Sequence, residues 1–134
     1  MKYITILAIL LVAALPVLAQ EGQTEMKKLE VGEAKLGKNV QDRQIVDETT
    51  TFEVNEKAYL WMRIVGGSAD SVTVTWKTTD QSYEVKLNVG GSPWRTWANK
   101  TLYTAGDWTV TVTDDEGNVL KEMSFTVTES MKEQ

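Results

Sequence analysis

Short runs in which apolar and polar side chains alternate recur along this chain, and that alternation constrains its fold more than any other feature. Residues 72–78 show the pattern, with Val72, Val74 and Trp76 separated by threonines. A repeat of two residues is that of a β-strand with one buried face. Beyond residue 20, no stretch of the sequence has the periodicity of an amphipathic helix. The sequence therefore predicts an all-β protein.

About seven strands are expected, because turn-forming residues separate the alternating runs at intervals of about ten residues. The expected strand segments are 31–38, 57–65, 72–78, 83–89, a less regular 94–103, 106–113 and 119–128. This number and spacing favour an immunoglobulin-like antiparallel β-sandwich over a small barrel. Residues 39–51 are expected to form a polar connection.

Three of these segments give more specific expectations. Residues 57–65 are apolar on both faces, which predicts a strand covered on both sides. Residues 72–78 and 83–89 should pair as a hairpin, with alternate side chains from Tyr83 to Val89 facing inward. Leu120 is out of phase with the alternation that follows it, which predicts a bulge or a late strand start.

The first nineteen residues have the composition of a secretory signal peptide. Lys2 precedes an apolar run, and Val17-Leu18-Ala19 ends at the expected cleavage site before Gln20. The run is short for a membrane-spanning helix, so an uncleaved anchor is the less favoured alternative. The expected order is signal peptide 1–19, flexible lead-in 20–30, β-sandwich domain 31–128 and tail 129–134. We predict a bacterial periplasmic or secreted protein with no membrane span after cleavage.

The chain contains neither histidine nor cysteine. This removes the most common general base, the thiol nucleophile, any Ser-His-Asp triad and the usual zinc ligands. Asp114, Asp115 and Glu116 are consecutive, and adjacent carboxylates in a turn do not flank a substrate. We expect a solvated turn there, and we expect no catalytic residue, no metal site and no cofactor. The prediction is a protein that is not an enzyme.

The charge of the chain narrows the choice of partner. The formal net charge is −5, and loss of Lys2 with the signal peptide would make the remainder more acidic. An acidic protein gains no counterion release from a phosphate backbone. Nucleic acid is therefore excluded as an expected partner.

One segment combines aromatic and cationic side chains and is the candidate binding surface. Its residues are Trp94, Arg95, Trp97 and Lys100, joined from an expected sheet edge by Arg63. In one interpretation, Trp97 and Arg95 share an exposed face and stack on a sugar ring or a peptide. In the other, Trp94 is a core residue, Trp97 lies under a loop and Arg95 pairs with an acid such as Asp107. The second is favoured, since a small domain without disulfides needs its tryptophans for burial.

Several segments together resemble a known bacterial family. They are Leu60-Trp61-Met62-Arg63-Ile64, Val74-Thr75-Trp76, Trp94-Arg95-Thr96-Trp97-Ala98-Asn99-Lys100-Thr101-Leu102, Gly106-Asp107-Trp108-Thr109-Val110, Asp115-Glu116-Gly117-Asn118-Val119-Leu120 and Phe125-Thr126-Val127. In this order they are similar to the bacterial domain of unknown function 2914, over roughly residues 31–128. The resemblance implies an exported or membrane-attached β-sandwich module and brings no established activity.

These observations favour a non-catalytic, exported interaction module. Its partner would be a protein or a cell-envelope polymer, bound through strand edges or the segment 94–100. Two alternatives stay open. One is a purely structural or accessory domain, and the other is a carbohydrate-binding module that uses Trp97 and Arg95.

Overall fold

The computed structural model describes residues 29–67 and 70–129, which form nine strands and no helix. The strands are β1 (Glu30–Gln41), β2 (Gln44–Glu48), β3 (Thr51–Glu53), β4 (Lys57–Val65), β5 (Asp70–Thr78), β6 (Gln81–Val89), β7 (Trp94–Thr101), β8 (Gly106–Thr113) and β9 (Val119–Thr128). Within the described residues, no helix could cross a membrane. The expected signal peptide, the lead-in up to residue 28 and the tail from residue 130 lie outside the described residues.

The strands form two sheets that face each other. One sheet has the order β2-β1-β4-β7, and the other has the order β3-β9-β8-β5-β6. All neighbouring strands are antiparallel except β3 and β9, which are parallel. The all-β, immunoglobulin-like sandwich is thus confirmed, but with nine strands instead of about seven, and with one parallel pair that the sequence did not predict.

Of the two additional strands, β2 lies within residues 39–51, which were expected to be a polar connection, so that prediction is wrong; β3 begins at the last residue of that region. β1 continues to Gln41, and a two-residue turn reverses the chain into β2. Asp42 and Arg43 form this turn with positive φ angles of 51° and 63°. Two positive φ angles match the right-handed twist of a hairpin, but the residues usually found there are Asn and Gly. Asp-Arg therefore gives little sequence signal for this turn.

The core lies between the sheets, and Phe125 is at the centre of its aromatic part. Its ring meets Phe52 edge-on at 5.5 Å and Trp76 edge-on at 6.0 Å, and it stacks with Trp108 at 6.0 Å. All four side chains are buried. Such pairs contribute about 0.5–1.5 kcal/mol each beyond the burial of their apolar area. This cluster stabilises a domain that has no disulfide.

The strand β4 was predicted over its full length, and it is covered on both faces as expected. Leu60 and Ile64 are buried on the core face, and Trp61 is buried on the opposite face.

The bulge predicted near Leu120 is also confirmed. Val112 pairs with Lys121, while the next residue of β8, Thr113, pairs with Val119.

The inward orientation predicted for β6 is only partly correct. The hairpin with β5 forms, and Val89 is buried, but Tyr83 and Val85 are 41% and 39% exposed. β6 is the edge strand of the five-stranded sheet, which is one strand wider than the sheet opposite. The alternation gave the correct face of the strand, but the opposing sheet leaves that face incompletely covered.

Candidate functional site

The candidate site is on the outer face of the four-stranded sheet, and the alternation of β4 creates it. Leu60, Met62 and Ile64 point into the core, so Trp61 and Arg63 point outward. In the neighbouring strand β7, Trp97 is directly opposite Trp61, and Arg95 is directly opposite Arg63. Two tryptophans and two arginines thus form adjacent cross-strand pairs on one face.

The β1–β2 hairpin curls over this face and gives the site a wall. The indole N–H of Trp61 donates a 2.8 Å hydrogen bond to the backbone carbonyl of Arg43 in the hairpin turn. Gly37 allows β2 to pack closely on β1, because a Cβ atom there would be 2.7 Å from Cγ1 of Ile45 and 2.9 Å from the carbonyl oxygen of Val46. The indole hydrogen bond thus holds the turn above the sheet, and Gly37 lets the two strands of the hairpin pack closely.

Between this hairpin and β7 lies an open groove of about 810 Å³. It is lined by Glu33, Lys35, Arg43, Gln44, Ile45, Trp61, Arg63, Pro93, Trp94, Arg95 and Trp97. Four of these side chains are cationic, and a single one is acidic. The acid, Glu33, forms an ion pair of 3.7 Å with Lys35. The ammonium group of Lys35 also lies 5.7 Å from the centre of the Trp61 ring. We call this site the cationic groove.

The arginine pair is the unusual feature of the cationic groove. Arg63 and Arg95 are both exposed, and like charges directly opposite each other destabilise a sheet. On its other side, Arg63 is directly opposite Glu33 of β1. The ion pairs formed within residues 29–67 and 70–129 join Lys35 to Glu33 and Lys38 to Glu56, and they include neither arginine. A guanidinium group that is exposed and outside any ion pair can donate two parallel hydrogen bonds to a carboxylate or a phosphate.

Trp94 lines the cationic groove at the start of β7, but its ring is on the opposite face of that strand from Arg95 and Trp97. The loop before it is fixed by the backbone N–H of Gly66, which donates a 2.7 Å hydrogen bond to Oγ of Ser92. The Trp94 ring lies against Gly90, where a Cβ atom would come within 2.9 Å of it, and it remains 37% exposed. The favoured prediction that Trp94 is a core residue is therefore wrong. Its position at the start of an edge strand explains the exposure.

The other parts of that interpretation have mixed outcomes. Trp97 is half-buried, and Arg95 forms no ion pair with Asp107 within the described residues. Trp97 and Arg95 share a face, as the alternative interpretation requires. Arg63 does not lie at a sheet edge, since β4 is between β1 and β7.

Lys100 lies apart from the other predicted site residues. It belongs to β7 but is three residues beyond Trp97 and therefore on the opposite face. Its ammonium group is 3.8 Å from the centre of the Tyr83 ring and donates a 3.1 Å hydrogen bond to the carbonyl oxygen of Thr101. Lys100 thus connects the edges of the two sheets and does not line the groove.

The sequence prediction missed Lys35, Arg43 and Trp61 as groove residues. Trp61 could have been found, because the alternation of β4 places it on the same face as Arg63. The side chain of Lys35 could have been placed only if β1 had been known to pair with β4. Arg43 depends on the hairpin that the sequence did not indicate.

The acidic turn is used for local structure. Oδ1 of Asp114 accepts hydrogen bonds from the backbone N–H groups of Glu116 at 2.9 Å and Asn118 at 2.8 Å. Oδ1 of Asp115 accepts a 2.7 Å hydrogen bond from the hydroxyl of Ser71. Among the residues that the structure describes, no group of three or more acidic side chains could hold a metal ion. These contacts agree with the predicted turn.

Fold and site define a small β-sandwich module with a cationic, tryptophan-lined groove on one outer face. Residues 69–127 match the family described as "Protein of unknown function (DUF2914)". This match confirms the predicted family resemblance for the part of the chain from β5 into β9. The matched range is narrower than the predicted 31–128. It includes β7 with Arg95 and Trp97, but it does not include β4 with Trp61 and Arg63.

No curated protein matches the chain. Among solved structures, it is similar to the Pseudomonas fluorescens alkylpurine DNA glycosylase AlkC bound to DNA containing an abasic site analog. The TM-score is 0.53 and the sequence identity is 12%, over 86% of this chain and 36% of that one. The chain thus corresponds to about a third of that protein. At this identity, the likeness supports the fold alone.

Proposed function

We propose that this protein is an exported, non-catalytic binding module that holds an anionic segment of a protein or of a cell-envelope polymer in the cationic groove. The observation that carries the proposal is the cross-strand pair of Arg63 and Arg95. A like-charge pair costs stability in the free protein, and Glu33 opposite Arg63 in β1 offsets only a part of that cost because Glu33 is paired with Lys35. A bound carboxylate or phosphate would offset this cost by accepting charge-assisted hydrogen bonds from both side chains.

The distribution of charge supports an anionic ligand. The chain as a whole is acidic, with a net charge of −5, but Lys35, Arg43, Arg63 and Arg95 come together in one groove that contains a single acid. A local excess of one charge sign in a concave site raises the local concentration of ligands of the opposite sign. This contrast between the groove and the whole protein favours recognition of a particular anionic partner over general attraction to polyanions.

Trp97 would supply the second part of the recognition. It is only partly buried and shares the outer face of β7 with Arg95. Its apolar face can pack against a sugar ring or a peptide backbone, while the arginines bind its acidic groups. Trp97 and Arg95 are also the residues on which the sequence-based carbohydrate-binding alternative depends.

The chemistry of the groove supports a binding role without catalysis. The chain has no histidine or cysteine, and Glu33 is held by Lys35. General acid–base catalysis at a glycosidic bond requires two carboxyl groups on opposite sides of the bond. The cationic groove contains one.

The test measures binding of defined anionic and neutral polymers to the full chain purified from a bacterial host. Suitable probes are poly-glutamate and alginate, a polyuronate, with uncharged dextran as the neutral comparison. We expect calorimetry to show binding of at least one anionic polymer and not of dextran, with affinity that falls as salt rises. Arg63→Gln and Arg95→Gln should each weaken binding by about tenfold or more.

Lys77→Gln is the matched control, because Lys77 is an exposed cation on β5 in the other sheet. Equal losses in the control and the groove variants would show attraction to surface charge in general and would contradict the proposal. Tight binding that neither groove variant weakens would move the site elsewhere.

A purely structural role is the second candidate, and the position of Trp61 favours it. The side chain is only 6% exposed, and its N–H is bonded to Arg43, so it contributes to packing more than to a binding surface. If no anionic probe binds, this structural role would be the better account of the groove.

A further inference from the structure

The strand β6 has one edge that pairs with no other strand in the described part of the chain. Its nine residues pair with β5 along one side. The strand contains no proline or glycine, and eight of its residues are exposed or half-buried. Long unpaired edges of this kind tend to pair with another chain unless they are protected.

The hairpin register determines which residues present free backbone groups. Thr79 and Asp80 form the turn, and Thr78 pairs with Gln81. A two-residue turn closes on a pair that exchanges both backbone hydrogen bonds, and such pairs then occur at every second residue. The intervening residues of β6 direct their N–H and C=O groups away from β5. These residues are Ser82, Glu84, Lys86 and Asn88.

We propose that β6 pairs in antiparallel fashion with β6 of a second copy of this chain, about a two-fold axis at Val85. In this register Glu84 of each copy is opposite Lys86 of the other, so two ion pairs form. The neighbouring registers with the same hydrogen-bond pattern place Glu84 opposite Glu84, or Lys86 opposite Lys86. Opposite charges stabilise a cross-strand pair and like charges destabilise it. The charges of β6 therefore favour this register over its two neighbours and complement a second copy of themselves.

The apolar residues of β6 agree with the same register. Tyr83 and Val85 are 41% and 39% exposed, and Leu87 between Val85 and the buried Val89 is half-buried. Pairing about Val85 would place the two Val85 side chains next to each other. It would also place Tyr83 of each copy beside Leu87 of the other. These apolar side chains are only partly covered in the single chain, where Lys100 of β7 contacts the Tyr83 ring, and they would complete each other's cover in the dimer.

The first test exchanges the two charges. The oligomeric state of the full chain, purified from a bacterial host, is followed by analytical ultracentrifugation as a function of concentration. We expect a dimer, with a dissociation constant that rises about tenfold in both Glu84→Lys and Lys86→Glu, since each creates two like-charge pairs. The double variant, Glu84→Lys with Lys86→Glu, should restore the wild-type value to within about threefold. Thermal unfolding of each variant shows that the change is not a loss of fold.

The second test uses the absence of cysteine from the chain. In the proposed dimer, Val85→Cys would place two thiols across the two-fold axis, at a separation suited to a disulfide. We expect rapid disulfide-linked dimers on mild oxidation. Val119→Cys is the control, because Val119 is 61% exposed and lies on β9. It should cross-link only at the rate of random collision.

A protein that stays monomeric at every concentration would overturn the proposal and leave the β6 edge available to a strand of a different protein. A dimer that neither single variant weakens, or equal cross-linking at both cysteine positions, would also overturn it, because the contact would then be elsewhere. The proposal rests on the five-stranded sheet and is independent of ligand binding in the cationic groove.

Discussion

Trp61 and Arg43 are joined by a hydrogen bond between an indole N–H and a backbone carbonyl, at 2.8 Å and across 18 residues of sequence. The bond links the centre of β4 to the turn of the β1–β2 hairpin. It matters for the site because this turn forms one wall of the cationic groove. The shape of the groove therefore depends on a contact that involves neither Arg63 nor Arg95.

We expect Trp61→Phe to lower the free energy of unfolding by about 1–3 kcal/mol, through the lost packing volume and the unpaired carbonyl of Arg43. Urea unfolding measures the change. Hydrogen exchange at the backbone amides of β2 should also accelerate, since the hairpin loses its attachment to β4. Tyr59→Phe is the control on the same face of the same strand, and it should change stability by less than about 0.5 kcal/mol. If β2 exchange is the same in both variants, the indole bond does not fix the hairpin.

Gly37→Ala should destabilise the protein by about 1–3 kcal/mol, because the new Cβ atom would overlap Ile45 and the carbonyl oxygen of Val46. The carbonyl is backbone, so the hairpin must move to relieve the overlap. Gly91→Ala is the matched control, because its Cβ atom would be 3.8 Å from the nearest atom, on Trp94. Thermal unfolding of the two variants gives the comparison. Equal midpoints would mean that β2 does not pack closely against Gly37 of β1.

Two core tryptophans should respond differently to the same substitution. Nε1 of Trp108 donates a 2.9 Å hydrogen bond to the carbonyl of Thr104, whereas Nε1 of Trp76 is buried with no partner among the described residues. Both rings pack against Phe125, so the loss of ring volume is similar. We expect Trp108→Phe to cost about 1 kcal/mol more than Trp76→Phe in equilibrium unfolding. The reverse order would show that the indole of Trp76 has a partner, such as an internal water.

Alternation of side chains was sufficient to predict most of the core. It placed Leu60, Trp76 and Phe125 correctly, since a buried face in a two-residue repeat is a property of the local sequence. It also gave the face of Arg95 and Trp97 relative to each other. It failed to predict how far an inward-facing side chain is buried, because burial also depends on the opposing sheet. Tyr83 faces inward, but the opposing sheet covers it only in part.

The cationic groove could be predicted only in part, because its charges come from three separate strands and one turn. Arg63 and Arg95 are 32 positions apart in the sequence, and only the pairing of β4 with β7 brings them opposite each other. Arg43 joins them through a turn of two residues with positive φ. Such turns are usually recognised by glycine or asparagine, and this one has neither.

The opposed arginines lead to a final prediction in which stability and binding change in opposite directions. Arg95→Glu replaces a like-charge pair by an opposite-charge pair with Arg63. We expect it to raise the free energy of unfolding by a few tenths to about 1 kcal/mol in urea titrations at low salt. The gain should shrink at about 1 M salt, where exposed charges are screened. The same variant should abolish binding of the anionic polymers, since it places a carboxylate where the ligand's acidic group would bind. Lys77→Glu on β5 should do neither. If Arg95→Glu destabilises the protein, then Arg95 stabilises the fold. The Arg63–Arg95 pair would then carry no energetic cost for a ligand to offset.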